Sequence, residues 1–92
     1  MLSLEIKEQR KREKMKEAIK KYLDENEIKY EFEDYKSKIY EFILNKEKNI
    51  YIRVTTSGDT LINYGKKILG GDYEWLKLNK LDVIKSILDR FV

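Results

Sequence analysis

The sequence contains no histidine, no cysteine and no proline. Without histidine and cysteine there is no Ser/His/Asp or Cys/His catalytic set, no zinc finger, no iron–sulfur cluster and no disulfide bond. We therefore expect a chain that is not an enzyme and holds no cofactor and no metal ion. No apolar run approaches the ~20 residues that cross a bilayer, and the first residues lead into charge without a signal-peptide core. We expect a cytoplasmic protein with no membrane partner and no small-molecule substrate.

The 92 residues suffice for one domain, and with 41% hydrophobic and 12% aromatic residues the chain is too apolar to be disordered. Its net charge of +3 is unevenly distributed. Residues 1–21 are basic, residues 22–47 are acidic and residues 48–92 are basic again. Lysine, isoleucine, glutamate and tyrosine are abundant, which is typical of an AT-rich genome and compatible with an archaeal, firmicute, phage or plasmid origin.

A helix is predicted over residues 4–24, because Met15, Ile19 and Leu23 follow the spacing of a single apolar stripe. Asn26 is expected to end this helix in the left-handed conformation. The residues before the stripe are polar on all sides. We therefore divide the chain into an exposed basic helical arm, residues 1–14, and a single α+β domain, residues 15–92.

Four segments alternate between apolar and polar residues as strands do: residues 28–33, 38–44, 50–55 and 60–64. Matching their apolar positions fixes a register, because a slip of one residue would move every side chain to the other face. The predicted pairs include Phe32–Tyr40, Tyr40–Val54, Leu44–Ile50 and Val54–Ile62.

Residues 73–78 are consistent with a fifth strand or with the approach to a closing helix that Asn79 caps. Ile84, Ile87 and Phe91 give that helix its apolar stripe. The predicted fold is α+β: an antiparallel meander of four strands, or five, with the N- and C-terminal helices packed on one face of the sheet.

Nucleic-acid binding through the basic arm is the function that the charge pattern favours most. A helix rich in lysine and arginine can lie along a phosphate backbone. Interleaved glutamates leave open a solvated helix that is stabilised by its own ion pairs. The predicted contacts with DNA or RNA are Lys7, Arg10, Lys11, Arg12, Lys14, Arg53, Lys66 and Lys67.

The alternative is a protein–protein interaction module, a homodimer, or a small inhibitor of the phage or plasmid anti-defence type. The outer face of the predicted sheet carries apolar side chains around a charged row, as partner surfaces do. Scattered apolar residues are also normal on a surface. The predicted partner-binding residues are Ile39, Ile43, Tyr51, Arg53 and Leu61.

Two smaller features have competing interpretations. Glu31, Glu41 and Arg53 fall in one predicted row, and two carboxylates could hold a divalent ion, but a cross-strand charge ladder is the interpretation we favour. Trp75 with Tyr73 could stack on a base or anchor an interface. For this pair we favour the commoner role of closing the edge of a small core.

Overall fold

A computed structural model describes residues 3–65 and 72–91. In chain order the elements are the helix α1 (Leu4–Glu25), the strands β1 (Glu31–Tyr35), β2 (Ile39–Asn45), β3 (Ile50–Val54), β4 (Thr60–Tyr64) and β5 (Asp72–Trp75), a 3-10 turn (Leu78–Lys80) and the helix α2 (Val83–Asp89). The predicted α+β fold is confirmed, and the fifth strand is present.

Helix α1 begins where the Ser3 hydroxyl accepts a hydrogen bond from the backbone N–H of Ile6, at 3.3 Å. Such a cap satisfies one of the N–H groups that lack a partner in the first turn. At the other end Glu27, and not Asn26 as predicted, adopts the left-handed conformation with φ 56°. The N–H of Ile28 then donates to the carbonyl of Leu23, which directs the chain towards β1.

The sheet is an antiparallel meander in which the strands lie in the order β1-β2-β3-β4-β5. Both helices pack on one face, which we call the inner face. Met15, Ile19 and Leu23 of α1 and Ile84 and Ile87 of α2 are buried there. They meet the buried strand residues Tyr40, Phe42, Ile50, Ile52, Val54 and Ile62.

The registers of the first and third hairpins are shifted by two residues from the prediction. Phe32 pairs with Phe42 in the first hairpin, because Lys36 and Ser37 both take positive φ and centre the turn one residue later than predicted. In the third hairpin Ile62 pairs with Ile52, because Gly58 with φ 86° closes the turn one residue earlier than predicted. A shift of two keeps each side chain on its predicted face.

The second hairpin follows the predicted register up to Ile43, which pairs with Tyr51. A bulge at Leu44 then pairs Asn45 with Ile50, so the predicted Leu44–Ile50 pair is wrong. The side-chain carbonyl of Asn45 accepts a hydrogen bond from the backbone N–H of Lys48 at 2.9 Å, and this bond stabilises the turn between β2 and β3.

The closing helix is shorter than predicted. Asn79 lies inside the 3-10 turn rather than at a helix cap, and α2 begins at Val83. The apolar positions nevertheless face the core, because Ile84 and Ile87 are fully buried and Phe91 packs against the cluster.

Candidate functional site

Neither of the two described helices packs on the outer face of the sheet. The observed registers place on it Glu31, Glu33 and Tyr35 from β1, Ile39, Glu41 and Ile43 from β2, Tyr51 and Arg53 from β3, Leu61 and Asn63 from β4, and Tyr73 and Trp75 from β5. All five residues predicted to bind a partner are in this set. Aromatic side chains and a single arginine therefore share a surface with three glutamates.

The middle of the outer face is a preorganised polar network. Glu41 is largely buried, and its Oε2 accepts Arg53 Nε at 2.7 Å and Arg53 Nη2 at 2.6 Å. Its Oε1 accepts the hydroxyl of Tyr35 at 3.0 Å. The Arg53 guanidinium also lies 5.4 Å from the centre of the Tyr51 ring. These contacts hold the arginine and two tyrosines in fixed positions.

The network shifts two pKa values. The hydrogen bond to Glu41 raises the pKa of Tyr35, because it stabilises the protonated hydroxyl. Burial opposes the charge of Arg53, but the hydrogen bond and the charge of Glu41 outweigh it and raise the Arg53 pKa. Arg53 therefore stays cationic at this face, and its charge is paired with that of Glu41.

Two carboxylates line the β1 edge of the outer face, and we call Glu31 and Glu33 the acidic edge. Glu33 lies directly opposite Glu41, which is an unfavourable position for like charges. Glu31 lies opposite Ile43 and makes an exposed contact of 3.6 Å with Lys46. The predicted Glu31–Glu41 row is therefore wrong. Within residues 3–65 and 72–91, no three acidic side chains come close enough together to hold a metal ion.

Tyr73 and Trp75 form an exposed aromatic pair at the opposite edge. Their rings are 5.7 Å apart and meet edge-on at 88°. Trp75 lies opposite Leu61 and is 57% exposed, so the predicted role in closing the core is wrong. Both residues alternate with polar neighbours in β5, which puts the two rings on one face of the sheet, and the pairing with β4 makes that face the outer one.

The basic arm contributes fewer free cations than its composition suggests. Arg12 is buried and donates from Nη1 to the carbonyl of Thr56 at 2.6 Å. Lys11 forms an ion pair of 2.9 Å with Asp59. Since Lys11 and Arg12 contact the β3–β4 turn, the exposed part of α1 is shorter than residues 1–14.

The other predicted nucleic-acid contacts are divided between free and engaged positions. Arg53 is paired with Glu41, and Lys66 and Lys67 lie outside the described residues. Among the predicted nucleic-acid contacts that the structure describes, three are exposed and form no ion pair: Lys7, Arg10 and Lys14.

Comparison with known proteins gives no relative: no protein-family model, no curated protein and no solved structure matches the chain. In the described residues, neither helix has the length and apolar character that a membrane span requires.

Proposed function

We propose that the chain is a protein-binding module and that the outer face of its sheet is the contact surface. The observation that carries the proposal is the set of aromatic residues and one arginine on a sheet face that neither helix covers. Tryptophan, tyrosine and arginine are the residue types that dominate the binding energy of protein interfaces. A small inhibitor that covers the surface of a larger protein would use the same face.

The dimensions of the face support a compact contact. Five strands spaced about 4.8 Å apart span about 19 Å, and five residues of a strand extend about 17 Å. The resulting area of roughly 300 Å² corresponds to a functional patch on a small protein. A standard interface buries about 800 Å² on each partner, so a stable complex would also use the rims of the sheet.

Charge favours a protein over a nucleic acid at this face. Glu41 neutralises the charge of Arg53, and Lys46 lies 3.6 Å from Glu31, so the unbalanced charge of the face is the carboxylate of Glu33. A phosphate backbone approaching the face would meet net negative charge, and nucleic-acid binding depends on the release of counterions by cations. The exposed tyrosines and the tryptophan would then serve a protein partner rather than bases.

The experiment is an affinity capture that compares the wild-type chain with Tyr73→Ala/Trp75→Ala, followed by calorimetry on each purified partner. Loss of a hot-spot aromatic costs about 2 kcal/mol or more, so we expect Kd to rise at least about 30-fold. Both side chains are more than half exposed, so the variant should keep its melting temperature. Lys7→Ala/Arg10→Ala/Lys14→Ala is the matched control and should bind the partner normally.

A partner whose Kd is the same for the wild type and for Tyr73→Ala/Trp75→Ala would contradict the proposal. The substitution of Arg53 is a poor probe of the same question. Without Arg53 the buried carboxylate of Glu41 would keep only the Tyr35 hydroxyl, and the sheet itself would be destabilised.

A second candidate function is nucleic-acid binding through the exposed start of α1. The free cations Lys7, Arg10 and Lys14 support it. Three phosphate contacts correspond to a slope of about −2.7 for log K against log salt concentration on duplex DNA, which predicts weak binding at physiological salt. A fluorescence titration with labelled DNA and RNA at several salt concentrations measures this slope, and undetectable binding at low salt would rule the function out.

A further inference from the structure

Two surfaces of opposite charge are exposed in the described part of the molecule. One is the outer face, with the acidic edge at β1 and the aromatic pair at β5. The other is the solvent-facing side of the start of α1. We propose that the outer face of one copy binds the start of α1 from a second copy. This proposal rests on the proposed function and names the partner.

Helix geometry gathers the free cations on one side of α1. Ile6, Arg10 and Lys14 are spaced by four residues, and Lys7 lies three residues before Arg10, so all four share a face. That face points away from Met15 and Ile19, which are buried against the sheet. The start of α1 therefore presents three cations and one apolar side chain to solvent.

The outer face offers matching groups. The carboxylates of Glu31 and Glu33 are exposed at the β1 edge and are opposite in charge to Lys7, Arg10 and Lys14. Glu31 also forms an ion pair of 3.6 Å with Lys46, but both side chains are exposed, and such surface pairs contribute little and exchange readily. The rings of Tyr73 and Trp75 are exposed as well, and such rings attract cations and pack against aliphatic groups. A helix about 10 Å wide fits on a sheet about 19 Å across.

The helix that binds must come from another copy. From Lys11 onwards α1 is fastened to the inner side of its own sheet, by the Lys11–Asp59 ion pair and the bond from Arg12 to Thr56. The residues before Lys11 continue the same helix and project about 10 Å beyond it, so they cannot turn around the sheet edge to the outer face. Since the two surfaces differ, the contact is heterologous and joins copies head to tail.

Charge reversal on each surface gives a reciprocal test by sedimentation velocity. Lys7→Glu/Arg10→Glu makes the helix start acidic, and Glu31→Lys/Glu33→Lys makes the edge of the outer face basic. We expect the wild type to exceed the monomer mass of 11.2 kDa at about 1 mM and low salt. Added salt should return it to a monomer.

Each reversed variant alone should remain monomeric under these conditions, because both of its surfaces then carry the same sign. An equimolar mixture of the two variants should associate again, because the acidic helix start of one matches the basic face of the other. Recovery in the mixture cannot arise from misfolding. A monomeric wild type at about 1 mM, or no recovery in the mixture, would overturn the proposal.

Two further outcomes separate this inference from the proposed function. If the wild type is monomeric but a foreign protein requires Trp75, the second copy is the wrong partner and the outer face is still a binding surface. If copies associate without any dependence on Tyr73, Trp75, Glu31 and Glu33, the contact lies elsewhere and that result counts against the outer face as well.

Discussion

The contact between α1 and the β3–β4 turn can be tested by two glycine substitutions, of which only one introduces a clash with α1. Gly58 and Gly65 both have positive φ, 86° and 81°. A Cβ added at Gly58 would lie 2.6 Å from Cγ and 2.8 Å from Cβ of Lys11. Among the atoms of residues 3–65 and 72–91, one added at Gly65 would meet nothing nearer than an Asp72 oxygen at 3.8 Å. Gly65→Ala therefore isolates the backbone strain, and Gly58→Ala adds the clash with α1.

The expected magnitudes follow from these two contributions. A non-glycine residue in the left-handed region costs about 1–2 kcal/mol, and the stiffer unfolded chain offsets up to about 1 kcal/mol of it. Gly65→Ala should therefore lower the free energy of unfolding by about 1 kcal/mol. Overpacking adds about 1–3 kcal/mol, so Gly58→Ala should lower it by about 2–4 kcal/mol. Each kcal/mol corresponds to about 4–8 °C in Tm for a domain of this size.

Urea unfolding followed by circular dichroism measures the free energy of unfolding of both variants. Substitutions of Lys11 provide the control. Lys11→Ala should rescue Gly58→Ala only in part, because it removes the Cγ at 2.6 Å but keeps the Cβ at 2.8 Å from the added atom. Lys11→Gly removes that Cβ as well and should recover more of the loss. Equal costs for Gly58→Ala and Gly65→Ala, within about 0.5 kcal/mol, would refute the close approach of α1 to this turn.

Three further predictions concern the charged side chains. Arg53→Met should lower the free energy of unfolding by about 1–3 kcal/mol, which is less than the full value for a buried pair because Arg53 is half exposed. Glu41→Leu/Arg53→Met should lower it by less than the single change, because no unpaired carboxylate is left buried. Urea unfolding of both variants measures the two values. A hydrogen bond from Lys11 lowers the pKa of Asp59. The carboxylate therefore stabilises the fold above its unfolded pKa, and this contribution is lost as the pH falls through the folded pKa. Lys11→Met should raise the Asp59 pKa in an NMR titration. Arg12→Met should be about 2 kcal/mol more stable than Arg12→Ala in thermal unfolding, because Arg12 is buried and methionine retains its apolar stem.

The division of side chains between the two faces was predictable because it depends only on alternation. Phe42, Ile52 and Ile62 are buried on the inner face as expected, although two hairpins pair two residues away from the predicted register. The register itself depends on turn conformation. Lys36 and Ser37 occupy the left-handed region without being glycine or asparagine, so their residue types gave no indication of the tight turn.

The candidate site depended more strongly on tertiary structure. Lys11 and Arg12 lie in the same basic stretch of sequence as Lys7 and Arg10, yet only Lys11 and Arg12 contact the β3–β4 turn. The sequence does not show which of these cations has a partner, because Asp59 and Thr56 lie more than 40 residues away along the chain. Trp75 is a similar case, since its position on the outer face follows from the pairing of β5 with β4.

The sequence by itself determined that the chain lacks histidine and cysteine chemistry, that it forms an α+β meander, and which residues face inward, because composition and alternation are local properties. The tertiary structure alone decided the register of the first and third hairpins, that Lys11 and Arg12 contact the β3–β4 turn, and that Glu41 takes the charge of Arg53. These features depend on contacts between distant segments, in which packing and burial select one arrangement among several that the local pattern allows.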